Sequence, residues 1–244
     1  MSVPREPQIL AIGGGSWIPD ERGPMLPSPL LRHAVTLTGR ARPKLCFVTT
    51  AVGDGENYVA RMYGAFTRLD AEVSHLALFP MPSFEDSRAH LLAQDLIYVS
   101  GGSVVNLLAV WRAHGLEDTF RKAWESGVVL AGQSAGALCW HSGGNTDSFG
   151  PRLRTITDGL GLLPYSCGVH YDSDAQRRDL LHRDVADGTL PEGYAADEGV
   201  ALNYVGTEFH EAVANPGSGS AYHVVRTAEG EVTETRIRPR VLAA

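Results

Sequence analysis

The stretch that most constrains this chain is Gly127-Val-Val-Leu-Ala-Gly-Gln-Ser-Ala-Gly-Ala-Leu-Cys-Trp140. Val128–Ala131 is an apolar run of strand length, and Ala-Leu-Cys-Trp at its far end is a good helix start. Gly132-Gln133-Ser134-Ala135-Gly136 lies between them, a G-x-S-x-G turn from strand to helix. Flanking glycines permit a turn too tight for side chains, which lifts the Ser134 hydroxyl clear of the sheet edge. The first N–H groups of the helix then lie beside that hydroxyl, where they can stabilise an oxyanion. The same residues also read as an ordinary Gly/Ser-rich turn; the strand before and the helix after favour the nucleophile.

The rest of the chain alternates in the same way. Gln8–Ile12 reads as a first strand ending in a tight turn at Gly13-Gly14-Gly15, where neither G-x-G-x-x-G nor a P-loop pattern fits. The Pro-rich stretch Trp17–Pro29 reads as loop and Leu30–Leu37 as a short helix. Lys44–Thr49 is a second strand, and Val59, Met62, Tyr63, Phe66 and Leu69 mark one face of a helix from about Glu56 to Leu69. Glu72–Leu78 and Leu96–Val99 are further strands. Helices follow, one carrying Val104, Leu107, Leu108 and Trp111 and one carrying Leu116, Phe120 and Trp124. Apolar strands alternating with helices predict an α/β, doubly wound, mostly parallel sheet, with the loops after the strands on one edge. Beyond Trp140 the pattern changes. His141–Arg154 is polar and Gly-rich, and a helix runs from Ser173 to about Ala186. Gly199–Tyr204, Glu211–Ala214, Tyr222–Arg226 and Glu231–Ile237 then suit short strands. This C-terminal third reads as an added antiparallel sheet region within a single domain of 1–244.

A net charge of −7 without a Lys/Arg block argues against nucleic acid and anionic membranes as partners. Met-Ser-Val-Pro-Arg-Glu-Pro lacks a signal-peptide pattern, and no apolar run approaches the roughly 18 residues that span a bilayer. Three cysteines, Cys46, Cys139 and Cys167, give neither a disulfide framework nor a zinc spacing. A reduced, cytoplasmic setting follows as the expectation, with no metal and no organic cofactor.

A serine hydroxyl needs a base to take its proton, and the base needs an orienting acid. Among nine histidines, His33, His75, His90 and His114 precede the turn on elements that give them packing or surface roles. His141 closes the elbow helix and points away. His170 follows Ser166-Cys-Gly-Val, a strand that returns toward the same edge, and is the best candidate base. Asp147, Asp172, Asp174, Asp197 and Glu198 all stand open as the acid.

Gly101-Gly102 before an apolar helix, Gly132-Gln-Ser-Ala-Gly136, Asp147-Ser-Phe-Gly, Gly161-Leu-Leu-Pro…His170-Tyr-Asp and Asp197-Glu198-Gly-Val-Ala-Leu occur in that order. The series resembles the peptidase E (aspartyl dipeptidase) and cyanophycinase family of serine peptidases. That resemblance implies a fold like the class I glutamine amidotransferase (flavodoxin-like) domain, with serine at the elbow. It implies Ser134 as nucleophile, His170 as general base and Glu198 as the acid, with Asp147 as the alternative acid. Backbone N–H groups of Gly102 and Ala135 would form the oxyanion hole. Peptidase E binds its substrate's aspartate through an arginine beyond the catalytic histidine. The nearest arginines here are Arg177 and Arg178, and Gln133 beside the nucleophile completes the candidate substrate-binding set. The expected activity is hydrolysis of short peptides, dipeptides with N-terminal Asp, through an acyl-enzyme; relatives suggest a homodimer.

Two rivals share these features. An α/β-hydrolase esterase would use the order Ser…acid…His, with His210 or His223 as base, but the chain has no upstream His-Gly-Gly-Gly oxyanion motif. A non-catalytic amidotransferase-like binding module would keep the fold without an activated serine.

Overall fold

The computed structural model describes residues 6–18 and 25–243. Residues 1–5 and 19–24, and with them most of the N-terminal heptapeptide and the middle of the Pro-rich stretch, lie outside the described residues.

An eight-stranded sheet forms the centre. From edge to edge it runs Arg240–Val241, Glu208–Ala214, Val200–Val205, Gln8–Ile12, Val129–Gln133, Leu96–Val99, Lys44–Val48 and Glu72–Leu76. The five strands from Gln8–Ile12 to Glu72–Leu76 are mutually parallel, and Val200–Val205 pairs antiparallel to Gln8–Ile12. Parallel strands covered on both faces must be apolar throughout, and Leu96–Val99 and the first four residues of Val129–Gln133 are buried without a break. Alternate side chains then serve two cores. Leu10, Ile12, Phe47, Tyr98 and Ala131 meet Met62 and Phe66 of the helix Glu56–Phe66 and Leu30 and Ala34 of the helix Pro29–Leu37. Ile9, Ala11, Val48, Val99 and Leu130 face the other way, toward Leu107 and Trp111 of Val104–Ala113 and Phe120 of Glu117–Glu125.

A second sheet packs on that same side, in the order Val232–Ile237, Ala221–Arg226, Gly193–Ala196, Leu163–Gly168, His141–Thr146 and Arg154–Ile156. Leu163, Cys167, Ala196 and Ala221 from it join the core of the central sheet. The strands expected in the C-terminal third pair antiparallel, but they divide between two sheets rather than forming one added region. Val200–Val205 and Glu208–Ala214 extend the central sheet, whereas Leu163–Gly168 is parallel to both Gly193–Ala196 and His141–Thr146. The Gly-rich start of the polar stretch is itself a strand. Gly143 and Gly144 are crowded by the carbonyls of Ile156 and Cys167, so a strand here has room for little else. A short helix, Ser87–Leu92, capped by Asp86, was not signalled by periodicity because it is only six residues long.

Candidate active site

Strand Val129–Gln133 delivers Ser134 directly into the four-residue helix Ala135–Leu138. Ser134 sits at φ 54°, ψ −112°, a sparsely populated conformation for a residue with a Cβ and one that clusters at active sites. The carbonyl of Val99 lies where a side chain would begin at either flanking position, 2.8 Å from a Cβ on Gly132 and 2.4 Å from one on Gly136. Both glycines of the G-x-S-x-G turn are therefore demanded by the neighbouring strand. Ala135 opens the helix, so its N–H has no intrahelical acceptor. The other turn, Gly101-Gly102-Ser103, comes alongside, and a Cβ on Gly101 would stand 3.4 Å from the Ser134 Cβ.

His170 arrives from the second sheet, two residues past the strand Leu163–Gly168. Its N–H donates to the Gly13 carbonyl at 3.2 Å, while the Ser134 N–H donates to the Ile12 carbonyl at 2.9 Å. The imidazole Nδ1 is 2.6 Å from Glu198 Oε2. An ionised carboxylate only accepts, so Nδ1 carries the proton and Nε2 is left with its lone pair. This hydrogen bond holds the Glu198 carboxyl below its ordinary range against the opposing effect of burial, and the Gly15 N–H adds to it. Glu198 is itself fixed through its backbone N–H, which donates to Asp172 Oδ1 at 2.9 Å.

The Gly13-Gly14-Gly15 turn makes room for this pair. A Cβ on Gly14 would lie 2.0 Å from Glu198 Oε2, inside the carboxylate. Gln133 braces the same turn from the other side, its Oε1 accepting the Ser16 N–H at 3.1 Å.

The remaining acids are spent elsewhere. Asp174 caps the helix Ala175–Ala186 through the Gln176 N–H. Asp197 accepts from the Ser220 N–H and the Tyr222 hydroxyl, and burial together with Asp172 raises its pKa. Asp147, the alternative acid, pairs with Arg177 at 3.5 Å rather than with His170. Its neighbour Ser148 accepts the Val104 N–H at 2.9 Å, which docks the Asp147-Ser-Phe-Gly loop on the Gly102 turn. Arg178 is engaged: it pairs with Glu234 and lies over the rings of Tyr171 and Tyr222, 4.6 Å from each centroid. Arg177 is nearly buried, yet its Nε has no acceptor among the described residues. Of the esterase's candidate bases, His223 stacks on Tyr194 and His210 is exposed on the strand Glu208–Ala214. Neither shares an ion pair with an acid among the described residues.

Residues 9–212 match the sequence profile of Peptidase family S51. The chain belongs to that family. An uncharacterized peptidase of Bacillus subtilis, YgaJ, is 41% identical over 229 residues, which cover 93% of this chain and 95% of its own. Peptidase E of Streptomyces coelicolor is 31% identical over 154 residues, 58% of either chain. Among solved structures, a peptidase from an acI-B1 actinobacterium superposes with a TM-score of 0.72 at 19% identity, over 97% of this chain and 96% of that one. A putative peptidase E protein from Listeria monocytogenes gives 0.55 at 17%, over 96% and 100%.

Two features of this S51 peptidase were not visible in its residue pattern. The triple glycine reads as a generic turn until Glu198, far along the chain, is found packed on Gly14. Thr49, Asp54 and His75, which the sequence scatters over two strand ends, meet in a buried hydrogen-bonded cluster. Among the described residues no group of three His, Cys, Asp or Glu side chains is arranged to hold a metal ion, and no helix is long and apolar enough to cross a membrane.

Proposed function

We propose that this S51 peptidase is a serine exopeptidase that hydrolyses short peptides, dipeptides with N-terminal Asp, through an acyl-enzyme on Ser134. The observation that carries the reading is the 2.6 Å contact between His170 and Glu198, held on the same chain end as the Ser134 elbow. His170 Nε2 accepts the Ser134 Oγ proton as the oxygen attacks the scissile carbonyl. The N–H groups of Gly102 and Ala135 receive the developing oxyanion, where fixed dipoles act without reorganising. His170 then returns the proton to the leaving amine. Water, deprotonated by the same nitrogen, releases the acyl group. Glu198 keeps the imidazole in the required tautomer and stabilises its cation. Every step uses side chains, backbone dipoles and water.

Arg177 supports the aspartyl preference. Its Nε is without an acceptor among the described residues, beside the loop that docks on the Gly102 turn, which suits a substrate carboxylate. Arg178, committed to Glu234 and two rings, is assigned to holding Tyr171 beside His170. Gln133 is assigned to bracing the glycine turn. Three buried free thiols fit a reducing, cytoplasmic setting.

The test is hydrolysis of Asp-, Glu-, Leu- and Ala-initiated dipeptides by the wild type and Ser134→Ala. Turnover confined to Asp substrates and lost in the variant is expected. Serine-dependent turnover of the others alone would reject the aspartyl preference, and turnover that survives Ser134→Ala would reject the mechanism.

A further inference from the structure

The Gly102 turn does not stand alone. It rests on a second turn that no part of the proposed mechanism uses. The strand Lys44–Val48 runs into Thr49, and a single 3-10 turn, Thr50–Val52, follows. Gly53 and Asp54 then close it with positive φ, 71° and 52°. The carbonyl of Ala51, at the middle of this turn, accepts the Ser103 N–H at 2.9 Å. Gly102 lies so close above it that a Cβ there would stand 2.4 Å from the Ala51 oxygen and 2.8 Å from Val52 Cγ1. Gly102 also takes φ 137°, open only to glycine, so its peptide orientation is set by what it sits on.

The supporting turn is held by three polar side chains. Thr49 Oγ1 donates to Asp54 Oδ1 at 2.7 Å and lies 2.8 Å from His75 Nε2. The threonine's one proton goes to the carboxylate, so His75 Nε2–H is the donor in the second bond. Asp54 Oδ2 accepts the N–H groups of Leu78 at 2.6 Å and Phe79 at 3.1 Å. Both ionisable side chains are essentially sealed, with Asp54 0% and His75 8% exposed. Burial works against the Asp54 charge, but the neighbouring His75 and the bonds from Leu78, Thr49 and Phe79 outweigh it and hold the carboxyl below its ordinary range. One buried carboxylate thus ties the end of the strand Lys44–Val48, the turn and the segment after Glu72–Leu76 into one rigid unit. Stacking of His75 on Phe47, 4.6 Å between centroids, fixes the imidazole.

We infer that Thr49, Asp54 and His75 are positioning residues that aim the Gly102 N–H at the oxyanion through the Ala51 carbonyl. This rests on the proposed serine mechanism, in which Gly102 is an oxyanion donor. A donor held about 1 Å out of place loses most of its effect on the transition state while leaving ground-state binding intact.

The experiment compares Thr49→Val, which keeps shape and removes the hydroxyl, with Thr49→Ser, which restores it. The readouts are kcat and KM on the best dipeptide, plus affinity for the aldehyde analogue of its acyl residue, whose hemiacetal places an oxyanion in the hole. Thr49→Val is expected to lower kcat about tenfold to a hundredfold, to weaken the aldehyde by the same factor and to leave KM unchanged. Thr49→Ser is expected to recover both losses. If Thr49→Val does not fold, Asp54→Asn carries the same comparison, with Asp54→Glu beside it. A wild-type kcat in a folded variant, or losses in kcat and KM that track Tm and spare the aldehyde, would overturn the inference. Ser134→Ala separates the two levels: an active Ser134→Ala overturns the serine mechanism, whereas an inactive one beside a fully active Thr49→Val overturns only the positioning network.

Discussion

The N–H groups of Ser134 and His170 hang from consecutive carbonyls of one strand end, Ile12 and Gly13, at 2.9 and 3.2 Å. Consecutive Cα atoms are about 3.8 Å apart, so a single short stretch of backbone fixes the spacing between a serine from the central sheet and a histidine from the second one. Neither residue is placed by its own local sequence alone. Both adopt positive φ, 54° and 48°, a conformation that surrounding structure must impose. For His170 the imposition is visible: Ser173 donates to its carbonyl through both the hydroxyl, at 2.8 Å, and the N–H, at 3.1 Å.

The identity of the acid is open to a direct comparison. Glu198→Gln keeps the shape but exchanges an acceptor for an amide, and kcat is expected to fall about 100- to 1,000-fold, less than for a fully buried triad acid because Glu198 is half exposed. Asp147→Asn, which breaks only the pair with Arg177, is expected to leave kcat within about threefold of wild type. Steady-state kinetics on one substrate decides; the reverse ranking would transfer the role to Asp147.

Gly14→Ala places a methyl group where the Glu198 carboxylate now lies. A loss of about 100-fold in kcat is expected, with little change in KM. Combined with Glu198→Gln it adds nothing further, because both substitutions remove the same contact. Additive losses in the double variant would show that Gly14 acts by another route.

Arg177→Met removes the guanidinium while keeping much of the side chain's length. Loss of a charged hydrogen bond, about 1.5–3 kcal/mol, corresponds to a fall of roughly 10- to 100-fold in kcat/KM for Asp substrates. Any residual turnover of Ala-initiated dipeptides is expected to be unchanged. Equal losses on both substrates would make Arg177 structural.

A further prediction concerns acid stability. His141 is fully buried, and its Nδ1 donates to the Ala137 carbonyl at 2.9 Å, which leaves Nε2 to accept from the Tyr204 hydroxyl at 3.3 Å. Burial pushes its pKa down from 6.5 to about 4, with the Ala137 bond opposing. Between those values the unfolded chain binds a proton that the folded chain does not, so stability is lost as pH falls from 6.5 toward 4. The loss at the acid end is on the order of 2–3 kcal/mol. Urea unfolding at pH 7 and pH 4.5 should show a shallower decline for His141→Gln than for wild type. An equal decline would remove His141 from the acid response.

Much of this was legible beforehand, for reasons that also explain the gaps. Val128–Ala131 and Leu96–Val99 are continuous apolar runs, as strands buried on both faces must be, and they fix the central sheet. Gly132, Ser134 and Gly136 mark the elbow because the crowding by Val99 acts on residues adjacent in sequence. The second sheet was less legible. Whether Val200–Val205 joins one sheet or the other depends on its partners, Gln8–Ile12 and Glu208–Ala214, and period-two alternation carries no such information. The residues alone left Glu198 and Asp147 both open, and only the family resemblance favoured Glu198, since the packing of residue 198 against Gly14 joins positions far apart in the chain. Arg177 and Arg178 are neighbours with indistinguishable patterns, and the placement of Asp147, Glu234, Tyr171 and Tyr222 separates them.

Activation of Ser134 is tested most simply by intact-mass and peptide-mapping analysis after reaction with a fluorophosphonate. An activated serine displaces fluoride and keeps the phosphonyl group, whereas an ordinary surface hydroxyl does not react. A single adduct on Ser134 is expected, absent from Ser134→Ala and formed much more slowly by His170→Ala and Glu198→Gln. An unlabelled wild type, or an adduct whose rate ignores His170, would contradict that activation.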